Sequence, residues 1–286
     1  MAGRTVKANG KLNLTLDVLG RRADGYHDLR MVMQTVELAD RLTIAIQTGR
    51  ELQVSSDLGF LPNNAKNLAA VAALQFEKAT GRDLGGFSVE IQKAIPVCAG
   101  MGGGSADAAA VLCALNEMTG AGLTPLELAH LGEQVGSDVP YCVLGGTVLA
   151  EGKGERLTHL PALPACWVVL CKPGFSISTP ELFSRMDGIK IRHRPDTVGV
   201  LAALESKNLE DVARRMYNVF EPVLPVRQRK DVQEIKNLLL QHGALGASMS
   251  GTGPTVFGLY SEKRTARMAY QNLKSLYRYV FLTKTV

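Results

Sequence analysis

The sequence lacks any concentration of charge of one sign, and it lacks the residue patterns that mark metals, disulfides and membranes. Charged residues make up 21% of the 286, and the net charge of +5 is nowhere gathered into a tract. The densest basic pieces, Lys190–Arg194 and Arg227–Lys230, carry no interleaved aromatics. That argues against nucleic acid as a partner, while a modest positive balance suits a small anionic substrate. The five cysteines are an odd number with no C-x-x-C pair, which argues against a disulfide framework. Most sit in apolar runs such as Cys166–Cys171 and read as buried reduced thiols. The five histidines lack zinc-ligand spacing. No apolar run reaches membrane length, and MAGRTVKANGKLN has no signal-peptide core. The expectation is a soluble cytoplasmic protein with no nucleic-acid or membrane partner, a monomer or weak homodimer. Its length favours two lobes, divided near PALPA (161–165) into residues 1–162 and 163–286.

Glycine, by contrast, is concentrated where it carries meaning. In Ala94–Asn116, AIPVCAGMGGGSADAAAVLCALN, the residues Gly100, Gly102, Gly103 and Gly104 remove four β-carbons from five positions. Such a backbone can take positive φ and present bare N–H groups. Ser105 is the expected N-cap. Ala108, Val111, Leu112 and Leu115 then fall on one helical face. A glycine turn feeding a helix N-terminus is a phosphate cradle. It lacks the lysine of a Walker loop, and Ser105 stands where a dinucleotide fingerprint needs its third glycine.

Elsewhere the pattern predicts strands over Arg4–Val18, with a break near Asn9-Gly10, and over Val32–Leu38, Leu42–Gln47, Leu52–Ser55 and Phe87–Gln92. Lys11 and Asn13 share a strand face, a pattern that usually means solvent and leaves a functional role open. Leu19–His27 reads as a polar loop ending in Tyr26-His27, a pair that either anchors the loop or holds a flat ring. Helices are expected over Lys66–Thr80 and Thr124–Val135. Ser137 is expected to cap a short helix that sets Asp138 at its N-terminus, as capping charge or catalyst. Gly145–Glu151 and Arg156–His159 form a predicted hairpin. The second half reads as strands Trp167–Cys171, Thr255–Tyr260 and Tyr277–Thr285. Its helices are Pro180–Met186, Asp196–Glu205, Asn208–Val219, Lys230–His242 and Ser261–Leu276, and Gly246–Gly253 is a second glycine-bearing loop.

Three separated stretches together resemble the GHMP kinase superfamily of small-molecule, ATP-dependent kinases. They are KANGKLNLTLDVLGRRADGYHDL (7–29), IPVCAGMGGGSADAA (95–109) and GASMSGTGPTVFG (246–258); residues 136–140 and 146–155 add a fourth. The chain departs from the usual pattern at Asn9, Gly10 and Ala106, where proline, alanine and a second serine are common. The resemblance implies an α+β two-lobed fold: an N-terminal mixed α/β lobe similar to ribosomal protein S5 and a ferredoxin-like C-terminal lobe, with the active site in the cleft. It implies ATP and Mg²⁺, the nucleotide phosphates lying on Pro96, Val97, Cys98, Ala99, Gly100, Met101, Gly102, Gly103, Gly104, Ser105 and Ala106. Lys11 and Asp138 are the implied catalytic residues. RRADGYH points to the branch whose alcohol substrate carries a cytidyl diphosphate. Tyr26, His27 and Phe183 are then implied for cytosine, Asn13 for the alcohol, and Gly251, Thr252 and Gly253 for the diphosphate. By itself Phe183 reads equally as core. The Asn63–Asn67 stretch is the candidate for adenine. A homoserine- or mevalonate-type kinase would leave RRADGYH unexplained, and a nucleotide sensor would have no need of Lys11 and Asp138.

Overall fold

A computed structural model describes residues 2–46 and 52–286. In chain order the elements are β1 (Ala2–Arg21), β2 (His27–Ile46), β3 (Gln53–Ser56), α1 (Leu68–Thr80), β4 (Phe87–Gln92), α2 (Gly103–Thr119), α3 (Pro125–Glu133), α4 (Val139–Leu144), β5 (Thr147–Gly152) and β6 (Arg156–His159). There follow β7 (Trp167–Lys172), α5 (Thr179–Asp187), α6 (Thr197–Glu205), α7 (Leu209–Arg214), β8 (Tyr217–Asn218), α8 (Val226–Gln241), β9 (Gly246–Met249), β10 (Val256–Tyr260), α9 (Lys263–Leu276) and β11 (Tyr279–Lys284). Two compact units interleave along the chain. One comprises Met1–Gly10, Leu38–Ile95 and Gly102–Gly145; the other comprises Lys11–Glu37, Pro96–Met101 and Gly146–Val286. Residues 161–165 thus lie inside the second unit.

In the first unit, the C-terminal part of β2 runs antiparallel to β4 from Arg41↔Gln92 to Ile46↔Phe87, and β3 pairs with β4 in parallel. Period-2 alternation turns Leu42, Ile44, Val89 and Ile91 into the core. Helix α1 packs on α2 through alanines: Ala69, Ala70, Ala72 and Ala73 on one helix, Ala106, Ala108 and Ala109 on the other, all buried. Small side chains let these backbones approach closely. Asn67 caps α1 by accepting from Ala69 N, and Gly81 ends it in a left-handed conformation. Thr124 and Glu127 form a capping box on α3, with Pro125 at its first position.

In the second unit, β11-β7-β10-β9 form an antiparallel sheet. With helices between β7 and β9 and α9 between β10 and β11, this is the ferredoxin-like arrangement. Strands β9 and β10 are wholly buried and β7 nearly so, with Val168, Val169, Leu170, Phe257 and Leu259 at zero exposure, while β11 is partly exposed. The N-terminal part of β2 pairs with β5, and β5 with β6; Thr15 and Leu16 of β1 run parallel to Tyr217 and Asn218.

Several local expectations change. β1 runs unbroken through Asn9-Gly10, and β2 joins the two strands expected at Val32–Leu38 and Leu42–Gln47; Gln47 lies outside the described residues. The loop at Leu19–His27 shrinks to Arg22–Tyr26. The helix expected over Asn208–Val219 stops at Arg214, and the next residues turn into β8. Helix α8 starts at Val226, directly after Pro225, rather than at Lys230. Half of the expected loop at Gly246–Gly253 is strand β9. All five cysteines are free, yet Cys98 is exposed rather than buried. Burial lifts the thiol of Cys166 to about 11 and that of Cys171 to about 12, leaving both protonated and inert. Among the described residues no helix is long and apolar enough to cross a membrane.

Candidate functional site

The glycine turn alternates left-handed residues: Cys98 at φ 51°, Gly100 at 73° and Gly102 at 68°. Left-handed residues interspersed with ordinary ones gather N–H groups into an anion-binding concavity. The cap of α2 is Gly102, and Ser105 sits in the first turn, not at the cap. Ala106 donates its N–H to the Gly102 carbonyl, and its side chain is buried. With no side chain closing the N-terminus of this 17-residue helix, its first amides stay available to a ligand. Gly104 is exposed, whereas Ala99 and Met101 are buried anchors.

Beneath the helix start lies a buried charge cluster that sequence reading missed. Lys93 Nζ contacts Asp40 Oδ2 and donates to Asp107 Oδ2 at 2.7 Å; Asp40 Oδ1 accepts from Ala94 N and Ile95 N at 2.6 and 2.8 Å. A β-carbon at Gly103 would lie 3.2 Å from Ile95 Cγ2 and 3.4 Å from Lys93 Nζ, so this position packs directly over the cluster. The available signal was an aspartate inside the run ADAAA, on an otherwise apolar helix face. One ammonium serves two carboxylates, and Asp107 Oδ1 has no hydrogen-bond partner. Burial opposes the charge on Lys93, but Asp107 and Asp40 outweigh it and raise its pKa. For Asp107 burial dominates over the pull of Lys93, Asp40 adds repulsion, and the carboxyl is pushed up to about 7. The folded state therefore binds this proton more tightly than the unfolded one. That stabilisation is present at low pH and lost as pH rises from about 4 to about 7. Wild-type Tm should fall between about pH 5 and about pH 8, and Asp107→Asn should flatten that decline in thermal melts. An unchanged slope would show that Asp107 does not titrate there.

The second unit brings three predicted stretches together around a residue that was not singled out, Ser250. Ser250 Oγ donates to the Gly100 carbonyl at 2.9 Å and accepts from Asn13 N at 3.3 Å, while Lys11 N donates to the Met101 carbonyl at 3.0 Å. A β-carbon on Gly100 would sit 2.1 Å from the Ser250 carbonyl oxygen, and one on Gly251 2.9 Å from the Gly100 carbonyl oxygen. Glycine is required by this close approach. Lys11 and Asn13 are not on a solvent face. Lys11 is 4% exposed and Asn13 fully buried, with Lys11 Nζ donating to Asn13 Oδ1 at 2.8 Å. Taking an ammonium out of water is costly, so a buried lysine is held by polar partners, of which Asn13 Oδ1 is one. In the loop itself, Gly253 N–H is spent on the Ser250 carbonyl at 2.8 Å. Among the described residues the N–H groups of Gly251 and Thr252 make no hydrogen bond.

The aromatic group divides. His27 stacks on Phe183 at 4.7 Å and 27°, and its Nε2 lies 2.6 Å from Asp187 Oδ1. That hydrogen bond, acting against desolvation, lowers the Asp187 pKa. Phe183 also meets Phe220 edge-on at 4.9 Å. Tyr26 is 57% exposed, with Lys153 Nζ 5.1 Å from its ring centroid, which leaves a face for a ligand. Thr252 Oγ1 lies 2.9 Å from Thr179 Oγ1. In the first unit, Asp138 is itself the N-cap residue of α4, in place of the expected Ser137, and its side chain is not used for capping. Asn63 lines a groove of about 480 Å³ with Thr43, Gln53 and Ser55. Asn67, by contrast, is occupied in capping α1. Among the described residues no three His, Cys, Asp or Glu side chains cluster to hold a metal.

Two family descriptions match: the GHMP kinases N-terminal domain over residues 67–146 and the GHMP kinases C-terminal region over residues 200–278. The 4-diphosphocytidyl-2-C-methyl-D-erythritol kinase of Alkaliphilus metalliredigens is 42% identical over 280 residues, covering 98% of this chain and 96% of that protein. The enzyme of that name from Acetivibrio thermocellus is 41% identical, with full coverage of both chains. A crystal structure of 4-(cytidine 5'-diphospho)-2C-methyl-D-erythritol kinase superposes with a TM-score of 0.82 at 31% identity, covering 99% of each chain.

Proposed function

Because the chain belongs to the GHMP kinase family, and is thus an ATP-using kinase, we propose that it phosphorylates the 2-hydroxyl of 4-diphosphocytidyl-2-C-methyl-D-erythritol on the non-mevalonate route to isoprenoid precursors. The observation that carries this reading is the junction at Ser250, where the Lys11–Asn13 strand, the Pro96–Met101 turn and the 250–253 loop are tied by hydrogen bonds. It lies in a chain that matches relatives of that name from end to end.

Phosphoryl transfer through a loose transition state asks for alignment and charge stabilisation more than for strong bases. The amides of Gly102–Ser105 and the α2 dipole receive the ATP phosphates. Mg²⁺ would supply charge neutralisation at the ATP phosphates received by these amides. Asp138 orients the acceptor hydroxyl and accepts its proton late, and Lys11 stabilises charge on the moving phosphoryl group. Tyr26 stacks on cytosine. The His27–Phe183 pair supports a second ring contact, Asn13 binds the erythritol hydroxyls, and the amides of Gly251 and Thr252 take the diphosphate. In this reading residues 1–162 carry ATP and the catalytic pair, and residues 163–286 complete the substrate site. One family description falls on each side of that division.

The test is ADP release from ATP and Mg²⁺ with this cytidyl substrate, homoserine or mevalonate as acceptor. Turnover with the cytidyl substrate alone is expected, and turnover with another alcohol alone would overturn the substrate assignment. Tyr26→Ala should raise KM for the cytidyl substrate by about tenfold, as stacking on a base is worth about 1–3 kcal/mol, and leave KM for ATP nearly unchanged.

A further inference from the structure

The stretch Tyr217–Glu221 lies outside every motif that pointed to the site, yet it holds the 250–253 loop from behind. Asn218 is fully buried. Its Nδ2 donates to the Met249 carbonyl at 2.7 Å and to the Gly251 carbonyl at 2.8 Å, and its Oδ1 accepts from Phe220 N at 2.9 Å. Both amide hydrogens are thus committed to this loop. Glu221 Oε1 accepts from Met249 N at 2.9 Å, fixing the strand just ahead of it.

The bond to Gly251 has a directional consequence. A peptide unit is planar and trans, so its C=O and N–H point in opposite directions. Asn218 holds the Gly251 carbonyl inward, and the N–H of the same peptide unit, that of Thr252, is therefore aimed away from Asn218. Thr252 N–H is one of the two loop amides that make no hydrogen bond among the described residues. Gly251, at φ 56° and with no β-carbon, gives this peptide unit freedom to rotate unless something holds it.

We infer that Asn218 is a positioning residue for diphosphate recognition: it locks the Gly251–Thr252 peptide unit so that Thr252 N–H faces a substrate phosphate. The inference rests on the assignment of the 250–253 loop to the substrate diphosphate and deepens it. The side chain touches no ligand and acts only through the peptide unit it holds.

The test compares CDP with cytidine by calorimetry, using wild-type protein and Asn218→Ala. Loss of an oriented, charge-assisted hydrogen bond should weaken CDP binding by about tenfold or more and leave cytidine binding unchanged, because cytidine has no phosphate. A general loosening of the fold would weaken both ligands alike. Equal weakening of both, or weakening of neither, overturns the inference. Asn218→Ser keeps a single donor and should give an intermediate loss for CDP. It also serves if the alanine variant does not fold. A wild-type protein that binds CDP no more tightly than cytidine would overturn the diphosphate assignment and the inference with it. A wild-type preference for CDP that persists undiminished in both variants overturns the inference alone.

Discussion

Asp138→Asn should fold normally and lose kcat by about two to four orders of magnitude, the usual worth of a positioned proton acceptor, with little change in KM for either substrate. Asparagine matches aspartate in shape, and the Asp138 side chain makes no capping hydrogen bond to α4. Its backbone, at φ −89° and ψ −9°, lies in the bridge region where many active-site residues sit. An ordinary carboxylate is far too weak a base to deprotonate a tertiary alcohol in advance. In a loose transition state it need not do so, because the alcohol becomes strongly acidic only as the new P–O bond forms. In the proposed mechanism the carboxylate orients the hydroxyl and receives its proton late, and the neutral amide could do only the first. Lys11→Met should give a comparable loss, because it removes a buried ammonium of similar length, and leaves Asn13 Oδ1 without its donor. If the two residues act on one step, the double variant should be little worse than either single one. Stopped-flow or steady-state kcat with circular dichroism as a folding control decides the matter. Near-normal kcat in a folded Asp138→Asn protein would remove this residue from the mechanism.

What could be read in advance follows from how local each signal is. Thr124-Pro125 at one helix start, and Gly81 after the first long helix, are instructions contained within one turn of chain, and both helices form near their expected bounds. The glycine turn was legible for the same reason, but its cap was not. Serine is a strong N-cap by propensity, yet Gly102 in a left-handed conformation starts the helix three residues earlier. Asn9-Gly10 looks like a break because glycine weakens an isolated strand. Here β1 is carried across it by pairing that no short window contains. Lys11 and Asn13 show the deeper limit. Alternation tells which residues share a face, and whether that face meets water depends on segments far away in sequence, such as Ser250, 237 residues from Asn13. Asn218 was illegible for the same cause. A single asparagine before a bend has no pattern, and its meaning lies wholly in the two carbonyls it finds.

Gly100→Ala should be severely damaging for the addition of a single methyl group. The residue has φ +73°, which already disfavours any side chain, at about 1–2 kcal/mol for an L-residue. The added carbon would also lie 2.1 Å from the Ser250 carbonyl oxygen, and backbone cannot rotate aside as a side chain could. To relieve the overlap the turn and the 250–253 loop must separate. That breaks the Ser250–Gly100 bond and frees the anchor of Asn13 N. One methyl group thereby disturbs the stretches assigned to ATP phosphate, acceptor alcohol and substrate diphosphate together. The expected result is a fall of about a hundredfold or more in kcat/KM for both substrates, equivalent to about 2.7 kcal/mol or more of lost transition-state binding, with Tm lowered by several degrees. Gly104→Ala is the matched control. Its φ is ordinary, and its β-carbon meets only Leu68 Cδ1 at 3.4 Å, so stability should hold or rise with the better helix former. Any defect there should appear in KM for ATP alone, through crowding of the phosphates at the helix start. Thermal melts and initial rates on the two variants separate the cases. A Gly100→Ala protein with wild-type Tm and rates would mean that the close approach of turn and loop is not needed for catalysis.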